Sequence, residues 1–405
     1  MGNLLSTAGT DTLDDIPNLI GTMLSSKGPA PRANAATRVY ILCDVGHKQN
    51  RVPLVCSGTY DILTPLVHCL NGRGAECKAA CLALNNLSIP PENKRVMASS
   101  KDVIGGLCKT IAKNSQESYL CCICLMNLSF LEASRRTILQ HSPSPDHRNI
   151  PPLDNPDSLL RVLERLLTTN SNRYEKTSEN TGLFRGRVKA SNTDAVRWAC
   201  GLLKNLSNSK DNATLIGQTD IPKCVVEYIR ASTSSASFRW TNNSLEDFSL
   251  FIVLNLAKWP ESRDALSRAD AIGVIQPILV TAEGDFYNDT IQGLTATMAC
   301  AFLNGTGGGV YRWHMSPIAR KAAEGAVAEL VTNIQTGRDK KGQYTHSVFT
   351  LDTATKAYDI IMPCTNLAER KAAHVHNLQD KHARALQDLR DKHKSELREL
   401  QQPLL

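Results

Sequence analysis

Apolar positions along most of this chain recur with the period of a helix. Residues 80–88 read ACLALNNLS, 122–129 read CICLMNLS and 200–207 read CGLLKNLS, with looser copies FIVLNLA at 251–257 and CAFLNGT at 300–306. Aligned on Asn86, Asn127, Asn205, Asn255 and Asn304, the copies carry Leu84, Leu125, Leu203, Val253 and Phe302 two positions earlier. One position later lie Leu87, Leu128, Leu206, Leu256 and Gly305, and Cys81, Cys122, Cys200 and Ala299 lie five positions before. Positions −5, −2 and +1 share one helical face, so each copy predicts a helix with a single buried stripe. Asp44 in VYILCDV heads an earlier copy, with Leu42 and Val45 in the matching slots.

The intervals from Asp44 onward are 42, 41, 78, 50 and 49 residues. The first two match the roughly 40–47-residue period of helical armadillo and HEAT arrays. The longest contains the Pro-rich stretch HSPSPDHRNIPPLDNP (141–156) and the polar stretch at 168–192, both expected as loops. Between them SLLRVLERLL (158–167) predicts an amphipathic helix, so the interval reads as one unit stretched by insertions.

A second signature follows each amide. Asn93 and Asn212 lie seven residues after their partners, where a short helix is expected. Aliphatic helices are predicted next, at 102–112, 220–230 and 271–280, with Asp, Ser or Pro at their starts as helix entry favours. A short helix, a medium helix and a long helix ending in Asn-Leu-Ser together resemble an armadillo repeat over about residues 38–335. That resemblance implies an all-α, right-handed armadillo-type helical solenoid. In armadillo proteins the asparagine of the third helix faces a concave groove and hydrogen-bonds the main chain of an extended peptide. The resemblance therefore implies that Asn86, Asn127, Asn205, Asn255 and Asn304 bind a partner peptide, with Asn85 exposed beside Asn86. The other reading is that each amide caps or braces an adjacent helix end. Nuclear-import receptors of this family place tryptophan four residues before many of these asparagines. Here Leu82, Ile123, Gly201, Phe251 and Cys300 fill those slots, so basic import signals are not the expected cargo.

Composition narrows the function. The 405 residues are 42% apolar and 21% charged, with a net charge of +7, as expected of a globular protein. No apolar run approaches the roughly 18 residues of a membrane span, and no secretory signal is expected at the N-terminus. Thirteen cysteines then point to a reducing compartment and free thiols. Cys121 and Cys124 form a Cys-x-x-Cys spacing, but without a second ligand pair it reads as helix packing and not as a metal site. Asn86, Asn127, Asn205 and Asn304 all match the glycosylation pattern, yet a cytoplasmic helix is expected to carry no sugar. The glycine cluster NGTGGG (304–309) lacks the lysine of a phosphate loop. No nucleophile elbow or zinc-protease helix is present, so neither an enzyme nor a cofactor is expected. With 5% aromatic residues and no long basic run, nucleic acid is not an expected partner.

The two ends suggest attachment. MGNLLS fits N-myristoylation at Gly2, which predicts a cytoplasmic protein peripherally and reversibly held on membranes. The rest of 1–37 is expected to be a flexible arm. After a linker or degenerate repeat at 336–365, residues 366–405 show an 11-residue rhythm through Leu367, Leu378, Leu389 and Leu400. That rhythm predicts a long amphipathic, coiled-coil-like helix that pairs with a second copy or another protein. The sequence thus points to a protein-interaction scaffold. Alternatives are a nucleotide-exchange regulator of Hsp70 chaperones, since some armadillo-like proteins act so, and a structural subunit of a larger assembly.

Overall fold

The computed structural model describes residues 12–25, 28–113, 115–142, 150–178, 190–233, 244–271 and 273–274. Among them every α-helix and 3-10 turn belongs to an all-α architecture, and no strand occurs. The α-helices in chain order are α1 (Ile16–Leu24), α2 (Pro29–Leu42), α3 (Arg51–Cys56), α4 (Leu63–Leu70) and α5 (Ala75–Leu87). They continue with α6 (Pro91–Ser99), α7 (Lys101–Ala112), α8 (Ser118–Ser129), α9 (Glu132–Gln140) and α10 (Leu159–Ser178). The last are α11 (Ala190–Leu206), α12 (Lys210–Gly217), α13 (Ile221–Thr233), α14 (Leu245–Ala257) and α15 (Pro260–Arg268).

The helices pack in three rows. The long helices α2, α5, α8, α11 and α14 each touch the next in that order. The medium helices α4, α7, α10 and α13 form a second row, and the short helices α3, α6, α9, α12 and α15 a third. The predicted stripe builds the interior. Cys81, Leu84, Leu87, Cys122, Leu125, Leu128, Cys200, Leu203, Leu206, Leu250, Val253 and Leu256 are all at most 1% exposed. Burying each aliphatic side chain contributes roughly 1.5–3 kcal/mol, which no single helix could collect alone. The Cys-x-x-Cys segment belongs to this packing, with Cys121, Cys122 and Cys124 fully buried. Helix starts are capped as the composition suggests. Ser100, Ser209 and Ser244 accept from the backbone N–H of Val103, Asn212 and Asp247, each cap contributing about 1 kcal/mol.

Three expectations change. Within the flexible arm expected over 1–37, Leu13–Leu24 and the stretch from Pro29 onward are helical. Ile16, Leu19 and Met23 enter the core, and Arg32 pairs through Nε with the buried Glu76 of α5 at 2.5 Å. The polar stretch expected as a loop over 168–192 is helical to Ser178 and again from Ala190. Once the apolar half of α10 has nucleated, adding a polar residue costs only tenths of a kcal/mol in propensity. The Asp44 copy breaks down at its end. Asp44 lies past the last turn of α2, its Oδ1 accepts from Gly46 N–H at 2.8 Å, and Val45 is 74% exposed. A short carboxylate that bonds its own backbone competes with helix continuation.

Candidate functional site

The recurring asparagines link each long helix to the one before it. Asn127 Nδ2 on α8 donates to Asn85 Oδ1 at 3.2 Å and Ser88 Oγ at 3.0 Å. On α11, Asn205 Nδ2 donates to Met126 O at 3.2 Å and Ser129 Oγ at 3.1 Å. On α14, Asn255 Nδ2 donates to Lys204 O at 2.9 Å and Ser207 Oγ at 3.2 Å. In each case the acceptors sit one residue before and two residues after the preceding unit's own asparagine. Each serine then donates to the carbonyl three residues back, at Asn85 (2.6 Å), Met126 (2.7 Å) and Lys204 (3.1 Å). The Asn-Leu-Ser motif is therefore a relay. The amide reaches backward, the leucine fills the core, and the serine both ties off its own helix end and receives the next amide. Asn86 is half-buried beside the same face, but its side chain makes no such bond among the described residues; the Cys43 thiol donates instead to Tyr40 O and Ala83 O.

The bracing uses donors only. An amide nitrogen has two hydrogens and its oxygen two lone pairs. Both Nδ2 hydrogens of Asn127 and Asn205 are taken, while no donor among the described residues reaches either Oδ1. At Asn255 the oxygen is occupied: Lys258 Nζ donates to it at 2.9 Å. Asn85, expected to be exposed, is half-buried because its Oδ1 is the acceptor for Asn127.

Around these amides the long helices keep a partly open face at positions −4, −1 and +3, closed at Gly201 on α11 and at Leu254 on α14. On α5 and α8 it is apolar apart from Asn85, with Leu82, Ile123 and Met126 half-buried and Ile89 and Phe130 exposed just past the helix ends. Lys94 Nζ lies 5.0 Å from the Phe130 ring centroid. On α11 and α14 the face turns cationic and aromatic. Lys204 Nζ sits 3.9 Å from the Phe251 centroid and 5.4 Å from that of Phe248. Trp198 packs on Phe248 with centroids 5.9 Å apart, and the Arg197 guanidinium lies 4.7 Å from the Trp198 ring. Partial burial draws the Lys204 and Lys258 ammonium groups below the usual lysine range, offset at Lys204 by the buried Asp247.

A further set of residues, seven positions after each asparagine, locks the turn into the short helix. Asn93 is fully buried, and its Nδ2 donates to Leu87 O at 2.9 Å and Arg51 O at 2.7 Å. Ser134 Oγ donates to Leu128 O at 2.8 Å, and Asn212 Nδ2 to Leu206 O at 3.1 Å. At the equivalent place Ser262 Oγ donates across to Ala213 O at 2.9 Å. The sequence marked Asn93 and Asn212 by spacing, but Ser134 and Ser262 were missed because their residue type differs.

Asn304, Gly2, the linker at 336–365 and the amphipathic segment 366–405 lie outside the described residues. Among the described residues no helix is long and apolar enough to cross a membrane, and no group of His, Cys, Asp and Glu is placed to hold a metal ion. Comparison with known proteins finds neither a matching family model nor a matching curated protein.

Proposed function

We propose that the three rows are a right-handed armadillo-type solenoid and that the chain is a non-enzymatic protein-interaction scaffold. Its long-helix face takes an extended segment of a partner protein. The observation that carries this reading is the half-used amide ladder. Asn127 and Asn205 spend their donors on the preceding unit and keep Oδ1 acceptors beside half-buried apolar side chains. An extended peptide carries what such a face lacks, namely main-chain N–H donors and side chains that fill apolar hollows. Bracing and binding are then one device, because a rigidly held amide loses little entropy when a ligand arrives. In the same reading Gly2 carries a myristoyl group that holds the protein reversibly on a membrane, and 366–405 pairs with a second copy or another protein.

The test is a quantitative pull-down with the full chain, an Asn127→Ala/Asn205→Ala variant checked for a cooperative melt, an Ile123→Glu/Met126→Glu variant, and a chain lacking 366–405. The expected outcome is a set of partners lost from both ladder-face variants and kept by the truncation. Partners indifferent to the face but lost with 366–405 would favour a structural subunit. Partners indifferent to both would favour a chaperone regulator that binds by another surface. Intact mass of native material, with or without a myristoyl adduct, tests Gly2.

A further inference from the structure

We infer that the partner segment is acidic where it crosses α11 and α14, so that Asp or Glu side chains meet Lys204 and Lys258. This inference rests on the groove reading proposed above and specifies the chemistry of the occupant. Lys204 is half-buried, its ammonium is held over two aromatic rings, and it donates to no acceptor among the described residues. Lys258 spends one hydrogen on Asn255 Oδ1 and keeps two. Neither forms an ion pair among the described residues, whereas Lys210, Arg136, Lys223 and Arg230 on neighbouring helices pair with Glu261, Asp211, Glu227 and Asp270. Asp247, the carboxylate among the described residues that acts on Lys204, is fully buried.

A half-buried and an exposed cation, neither with a counter-ion among the described residues, are the half of a charge-assisted contact that a ligand completes. Cation–π contact fixes the position of Lys204 but leaves its N–H donors unused. A basic occupant would meet like charge at both lysines. Nucleic acid would match the charge, but a phosphodiester has no N–H donors for Asn127 and Asn205 along its backbone, whereas a peptide does. Toward α5 and α8 the face is mainly apolar, with Leu82, Ile123 and Met126, and Lys94 lies at its edge over Phe130. The fitting segment is therefore apolar at one end and acidic at the other, with a fixed direction along the face.

The experiment selects random displayed peptides of about 12 residues on the folded full chain, then measures one labelled winner by fluorescence anisotropy. Expected are winners with Asp or Glu beside apolar residues. Affinity should weaken about tenfold or more in Lys204→Glu and in Lys258→Glu, and should fall with added salt. Lys258 lies at the exposed end of α14, so its variant keeps the test open if Lys204→Glu fails to fold. Neutral or basic winners, unchanged affinity after charge reversal, or equal competition by single-stranded DNA would overturn the inference. If winners lack acidic residues yet are lost in Asn127→Ala/Asn205→Ala, the charge assignment alone falls. Winners indifferent to both sets of variants, or an empty selection, would sink the groove reading with it.

Discussion

Asn93 and Asn127 are the same residue type doing related work at different depths, and the difference sets what each is worth. Asn93 is fully buried, ties Leu87 O to Arg51 O, and accepts from the Cys56 thiol at 3.2 Å. Asn93→Ala leaves Leu87 O without a partner and takes the second donor from Arg51 O, where water cannot easily follow, so it should cost about 2–3 kcal/mol. Asn127→Ala frees groups at a half-open face that water can reach, and should cost about 1 kcal/mol. Urea unfolding of both variants checks the order, and a larger loss for Asn127 would contradict it. The amide positions were legible in the sequence because a polar residue interrupts an apolar stripe at fixed spacing. Their partners were not. The bonds of Asn205 span 76 and 79 residues, so nothing local distinguishes an amide that clamps a ligand from one that braces a neighbour. The structure gives the nitrogen to the brace.

For the elements, legibility followed the strength of the apolar period. The long helices and the first half of α10 were readable because every third or fourth residue is aliphatic. The same rule would have found α1, where Ile16, Leu19, Ile20 and Met23 stand at i, i+3, i+4 and i+7. The second half of α10 has no such period and was unreadable for that reason. Close approach between helices was also hidden. A Cβ at Gly201 would lie 3.0 Å from both Met126 Sδ and Phe248 Cε2, so α11 is wedged between α8 and α14 with room for a hydrogen only. Gly201→Leu should therefore destabilise the chain by about 1–3 kcal/mol despite leucine's better helix propensity. A melting temperature equal to or above that of the unaltered protein would show that the helices can part more easily than this packing implies.

At the scale of the whole molecule the buried thiols give the interior a pH signature. Burial pushes the thiols of Cys43, Cys69, Cys108 and Cys124 up to about 12. It raises those of Cys122 and Cys200 as well. In the unfolded chain each returns to near 9.0, the ordinary value. Below that pH both states hold the proton and the thiols add no pH dependence. Above it the unfolded chain releases protons that the folded one keeps, so stability falls as pH rises from about 9 toward 12. The slope approaches about 1.4 kcal/mol per pH unit for each such thiol, and the thiols act together. Urea midpoints should therefore be level from pH 7 to 8 and drop steeply between 9 and 10.5; a level midpoint across the alkaline range would mean that water already reaches these sites. Alkylation at pH 8 adds a spatial reading. Cys56 is exposed and should label at once, whereas the buried thiols wait for opening. In the proposed solenoid, whose units would touch only their neighbours, opening starts at an end. Cys43, at the end of α2, the first described helix of the long row, should thus label before Cys122, whose helix α8 is flanked by α5 and α11. Equal rates for Cys43 and Cys122, followed by mass spectrometry, would show one cooperative block in place of separable units.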